Sequence, residues 1–144
     1  MEKLNRRTAR ENAFFAAFAA TFDYAMPEEV IAIHNEQGEI VVDEFGKKLI
    51  ESYYEHSAEV NDIIKAHLRD WTIDRIPRVS LTILRLALSE MLYAEERLPS
   101  VAINEAVELT KKFGGEDDYQ FVNGLLGSVV RELGLADADS AEQA

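Results

Sequence analysis

Apolar side chains recur along this chain at spacings of three and four, the period of an amphipathic helix. The first stretch to do so spans about residues 5–22, with Asn5 placed as its N-cap. A short helix follows Pro27 in EEVIAIHN, and NEQGEI around Gly38 is a polar break. EFGKKLIESYYEH then carries Leu49, Ile50, Tyr53 and Tyr54 at helical spacing, and Ser57 is a candidate cap for AEVNDIIKAHL. After a loop at Pro77 comes SLTILRLALSEMLYAEE, the most apolar segment, with Ser80 as candidate cap. Its polar positions are so few that it is predicted to be central and buried on most sides. ERLPS reads as a loop, and Ser100 is placed to cap VAINEAVELTKKF. Gly114 and Gly115 are expected to end that helix in left-handed conformations. Asp117 and Asp118 put negative charge where the macrodipole of a last helix prefers it. That helix runs through YQFVNGLLGSVVREL to Gly134.

No segment alternates cleanly with period two, and no internal repeat occurs. The prediction is an all-α fold of about seven helices. One domain over residues 1–136 is expected, followed by a small, acidic, frayed tail over 137–144. Apolar residues make up 47% of the chain and charged ones 29%, a balance that suits a folded globule. Cysteine is absent, which rules out disulfides and thiolate metal sites and fits a reducing cytosol. The start, MEKLNRRTARENAFF, lacks the uninterrupted apolar stretch of a signal peptide, and no run is long enough to span a membrane.

Charge changes the picture. The formal net charge is -12, yet residues 1–10 carry Lys3, Arg6, Arg7 and Arg10 against Glu2 alone. Residues 23–60 hold ten acids against Lys47 and Lys48. Most of the surface should therefore repel a polyanion and one corner attract it. At about 100° per residue, Arg6, Arg7 and Arg10 share one arc of the first helix, which Phe14 and Phe18 continue. This reads either as a phosphate-contacting patch with rings for base stacking, or as a solvated basic end followed by core aromatics.

His34, His56 and His67 lie far apart, so a metal site is not expected. The chain has no nucleophile elbow, phosphate loop or dinucleotide fingerprint, and nothing in it points to catalysis or to a cofactor. Gly124 and Gly127 inside a helical pattern predict close helix packing. Asn104 and Asn123 are expected to tie their helices to neighbouring backbone. Phe121 is either a core residue or an exposed ring.

Three blocks, RRTARENA, ILRLALSEM and VAINEAVELTKKFGGEDDYQFVNGLL, resemble the bacterial NusB family of transcription antitermination factors. The resemblance covers both ends and the middle, with a weaker match between about residues 23 and 75. It implies two small helical subdomains and a non-enzymatic, cytoplasmic role. Family members pair with NusE, a small-subunit ribosomal protein, and the pair binds boxA-type RNA. A modified RNA polymerase antitermination complex then reads through terminators, notably in ribosomal RNA operons.

By motif position the resemblance implies RNA contacts from Arg6, Arg7, Arg10, Phe18, Lys111, Asp117 and Phe121. It implies a NusE-facing surface at Ser80, Ile83 and Arg85. Phe18 stands where a tyrosine is frequent, and Ser80 where an acid is frequent. A homodimer that covers the arginines is also open. The alternative function is a helical dimerising or docking protein that binds no RNA. A methyltransferase is not expected, since no glycine-rich loop follows a strand.

Overall fold

The computed structural model describes residues 3–23, 26–38 and 40–137. Among them it has seven α-helices and no strand. These are α1 (Arg6–Asp23), α2 (Pro27–Gln37), α3 (Glu44–Glu55), α4 (Ser57–Ala66), α5 (Arg78–Tyr93), α6 (Pro99–Phe113) and α7 (Asp118–Leu133). A short 3-10 turn, Ile73–Arg75, precedes α5. The predicted all-α class and helix number stand. No helix is long and apolar enough to cross a membrane among the described residues.

The helices form two groups, α1–α4 and α5–α7, that share one continuous core. Helix α5 joins them, packing against α1, α3, α4, α6 and α7. Ile83, Leu84, Leu88 and Met91 are almost wholly enclosed. A helix surrounded on most sides has to be apolar nearly all round, as its sequence is.

Helix starts are set by local hydrogen bonds. Asn5 Oδ1 accepts from the Thr8 amide at 2.8 Å, so the predicted cap of α1 is real. Asp43 caps α3 by accepting from the Gly46 amide at 2.9 Å, and its other oxygen accepts from the Leu4 amide at 3.1 Å. One buried carboxylate thereby ties the entries of α1 and α3. Three serine caps do not form. Ser57 is the first residue of α4, behind His56. Ser80 lies inside α5, which begins two residues earlier at Arg78. Helix α6 starts at Pro99, whose missing N–H suits a first helical position, and Ser100 instead bonds Asp137 through its amide at 3.0 Å. Asp137, expected in the frayed tail, is therefore held; residues 138–144 lie outside the described residues.

The glycines and amides also redistribute. Gly114 is extended rather than left-handed, whereas Gly134 ends α7 with φ +64°. Gly124 has open space where a Cβ would lie, and Gly127 would meet only the end of Arg131, so neither mediates helix packing. Gly46 does: a Cβ there would sit 3.3 Å from both Ala13 Cβ and the Ala9 carbonyl oxygen. Ala9, Ala13, Ala16, Ala17 and Ala20 are buried on α1, which lets α3 approach closely. Asn104 and Asn123 are exposed. The amides that bind backbone are Asn12, donating to Val41 O at 2.8 Å, and Asn35, paired both ways with Val42.

Replacing Gly46 by Leu should overpack the α1–α3 contact and cost about 1–3 kcal/mol. Thermal unfolding of Gly46→Leu beside Gly124→Leu checks this, since a Cβ at Gly124 meets no heavy atom within 4 Å and replacing that exposed helical glycine should stabilise by up to about 1 kcal/mol.

Candidate nucleic-acid interface

The first turns of α1 lie between α3 on one side and α5 and α6 on the other. The three arginines therefore meet three different surroundings. Arg10 faces inward, its side chain only 12% exposed. Its Nε and Nη2 donate to the two carboxylate oxygens of Glu90 at 2.9 and 2.7 Å. Its Nη1 stands 3.7 Å from Glu105 Oε1. Arg7, three positions earlier, is 69% exposed, yet it makes a two-pronged pair with Glu105 at 3.1 and 2.9 Å. Arg6 points the other way, its guanidinium 4.1 Å from the centre of the Phe45 ring of α3. Such a cation–π contact leaves the charge available to solvent.

A groove of about 420 Å³ runs between α1 and α6. Its cations are largely answered by the protein's own acids. Lys112 pairs with Glu11 at 3.0 Å, and Lys111 stands 3.6 Å from Glu108. Lys111 also lies 5.0 Å from the centre of the Tyr119 ring, which links the groove to the start of α7. Among the described residues, Lys3 and Arg6 have no carboxylate partner. The hydrogen bonds from Arg7 hold the Glu105 carboxyl below its ordinary value; burial opposes them, and the charges of Arg7 and Arg10 assist. The same pair holds the Arg7 guanidinium above its ordinary value.

The aromatic residues divide between core and rim. Phe14 is core, while Phe18 is half-buried between Phe14 and Phe22, with ring centres 5.7 and 5.3 Å away. Phe121 is also half-buried, 5.9 Å from the exposed Trp71 ring. Asp117 is exposed at the start of α7, where its side chain caps nothing. The neighbouring Asp118 instead accepts from the Gly115 amide at 2.8 Å.

Arg7, Arg10 and Lys111 thus share one groove, but Arg10 is a strut inside it rather than a surface cation. Two of the expected partner-facing residues are core. Ser80 is 0% and Ile83 2% exposed, enclosed between α5 and its neighbours. Ser80 follows Val79 on the inward face of the first turn, so no partner reaches it. Arg85 is half-buried, donating to Asn61 Oδ1 at 3.0 Å above the Tyr53 ring. What α5 does expose at this end is Arg78, stacked 4.3 Å over the exposed Phe22 ring, near the end of α1.

Sequence reasoning missed Phe45, Glu90 and Glu105. Two of them left a signal. Glu90 is the only acid in an otherwise apolar helix, and Glu105 falls in the stripe of Ala102, Ala106 and Leu109. An acid on a buried stripe needs a cation from another element. Phe45 left none. The described residues include no group of three or more histidine or acidic side chains able to hold a metal. His56 and His67 each place Nδ1 against a carbonyl of their own helix, and the His34 side chain lies outside the described residues.

Fold and site together define a protein, all-helical among the described residues, that carries a cluster of cations where the start of α1 meets the end of α6, on an acidic body. The sequence model of the NusB family matches residues 7–131. The transcription antitermination protein NusB of Geobacillus kaustophilus (strain HTA426) is 40% identical over 130 residues, 90% of this chain and 98% of its own. T. maritima NusB is similar in structure, with a TM-score of 0.79 at 27% identity over 99% of this chain and 100% of that one. A chain in a crystal structure of antitermination factors NusB and NusE in complex with dsRNA has a TM-score of 0.78 at 29% identity, covering 88% and 96%. This chain belongs to the NusB family.

The folded Glu105 carboxyl titrates below the unfolded one, so its ion pair stabilises fully above about pH 4.3. That contribution is lost as pH falls from there through the lower folded value. Glu105→Gln should therefore flatten the acid limb of the thermal stability profile below about pH 4.3. Melting temperatures of both proteins between pH 7 and pH 3 check it; parallel limbs would contradict the assignment.

Proposed function

We propose that this chain is a non-catalytic antitermination factor that binds boxA-type single-stranded RNA together with NusE. Its place is in an RNA polymerase antitermination complex acting notably on ribosomal RNA operons. Family membership supports the role. A single structural observation carries the RNA-binding part: Arg7 and Lys111 are exposed along the α1–α6 groove and Arg6 on the α3 side of the same helix end, with the Phe45 ring beside Arg6 and the Tyr119 ring beside Lys111, on a chain of net charge -12. Cations with adjacent ring faces suit a strand whose phosphates and bases must both be met.

The acidic body limits what the chain achieves alone. Three phosphate contacts give a salt dependence of slope about -2 for a single strand. A basic partner that adds its own contacts then supplies the remainder. For that partner, the exposed Phe22 ring with Arg78 stacked on it replaces the buried Ser80 and Ile83. Large exposed apolar side chains beside an arginine are the composition that dominates interface energies.

A second reading, a docking protein that binds no RNA, is favoured by the pairing of Arg7, Lys111 and Lys112 with the protein's own acids. RNA titrations separate the two. The RNA reading expects weak binding by the chain alone that falls roughly 20-fold between 50 and 200 mM salt, and tighter binding with NusE present. No RNA binding under either condition leaves the docking reading.

Phe22→Ala should weaken NusE binding by more than about 1 kcal/mol, while Ser80→Ala leaves it unchanged. Titration calorimetry of both variants checks the reassigned surface.

A further inference from the structure

Glu105 is shared unequally between two arginines. The exposed Arg7 holds both of its oxygens, at 3.1 and 2.9 Å, while the nearly buried Arg10 stands 3.7 Å from Oε1. Arg10 cannot leave, because Glu90, itself almost wholly enclosed, grips it with two hydrogen bonds. Arg7 can leave, because most of its side chain is in water. A carboxylate on a buried stripe cannot be left without a counter-charge. Here it has a second one in place.

We propose that RNA binding proceeds by ion-pair exchange: a backbone phosphate takes Arg7 from Glu105, and Arg10 closes on Glu105 as the retained counter-charge. Arg7 is then the RNA contact, Glu105 its competitor, and Arg10 a positioning residue that touches no RNA. This rests on the RNA-binding reading above. The exchange also accounts for a basic motif whose members are already paired in the free protein. The Arg7–Glu105 pair suppresses loose attachment to any polyanion, because each phosphate must displace a carboxylate. A strand held at other points by NusE keeps its phosphate at Arg7 long enough to complete the exchange.

The test is a double-mutant cycle, with boxA-type RNA titrated into the chain plus NusE. Arg7→Ala should weaken binding and make the salt slope shallower by about 0.7, the share of one phosphate on a single strand. Glu105→Gln should tighten binding by about 2- to 5-fold, the strength of a solvent-accessible ion pair, and leave the slope unchanged. In the Arg7→Ala background Glu105→Gln should give no gain. Removal of a mere repulsion would give the same gain in both backgrounds, and Glu108→Gln serves as that control.

Arg10→Lys should weaken binding, and adding Glu105→Gln should restore it, with melting temperatures confirming that both variants fold. Nitrogen-15 spectra give an independent readout. On RNA addition the Arg7 Nε–H signal should move and the Arg10 signal stay. An additive cycle, or a moving Arg10 signal beside a static Arg7, overturns the exchange while leaving RNA binding intact. If the unmodified chain with NusE binds no RNA at all, the functional reading falls and the exchange with it.

Discussion

The two-pronged bond between Arg10 and Glu90 is the contact on which the rest of this molecule turns. It joins the first helix to the central one, and through Glu105 it reaches the sixth. Both partners are almost out of water, so neither tolerates the loss of the other. Breaking such a pair from one side costs about 3–5 kcal/mol, because a buried charge is stranded. The apolar core around Leu84, Leu88 and Met91 supplies most of the stability but little direction. The ion pair adds geometry: it fixes the rotation of α1 about its own axis. That rotation sends Arg7 outward over α6 and Arg6 over Phe45.

An acidic protein with a basic corner has to keep that corner from collapsing onto its own surface or collecting every anion in reach. This chain pairs most of its corner cations internally. Lys112 rests on Glu11, Lys111 near Glu108, and Arg7 on Glu105. Exposed pairs of this kind are worth under about 1 kcal/mol each, so they restrain the side chains without imprisoning them. Arg10 differs because it is enclosed. The same residue type, three positions apart on one helix, is a surface cation in one place and a structural strut in the other.

Much of the fold was legible in the sequence, because helix-forming periodicity and capping chemistry are local. The seven helices, the Asn5 cap and the Gly134 stop all depend on residues within a turn of each other. Buried centrality of α5 was legible too, since a helix without a polar face has nowhere else to go. The expected serine caps at Ser57, Ser80 and Ser100 failed, because each serine is already inside its helix: Ser57 is the first residue of α4, Ser80 is enclosed, and Ser100 is drawn to Asp137. Close packing was placed at Gly124 and Gly127, but the tight approach is at Gly46, where the alanines of another helix decide it.

The candidate site shows the same division. Residue order alone determined that cations would cluster at the start of α1 and that the body would repel a polyanion, since charge composition survives any fold. Which arginine faces water, which acid answers it, and that Ser80 and Ile83 lie inside were decided only when α1, α5 and α6 packed together. Glu90 and Glu105 are 80 and 98 positions along the chain from the arginines they hold. Contacts across such distances leave at most half a trace in one-dimensional sequence: an acid where the helical stripe called for an apolar side chain, with nothing to say which cation would meet it.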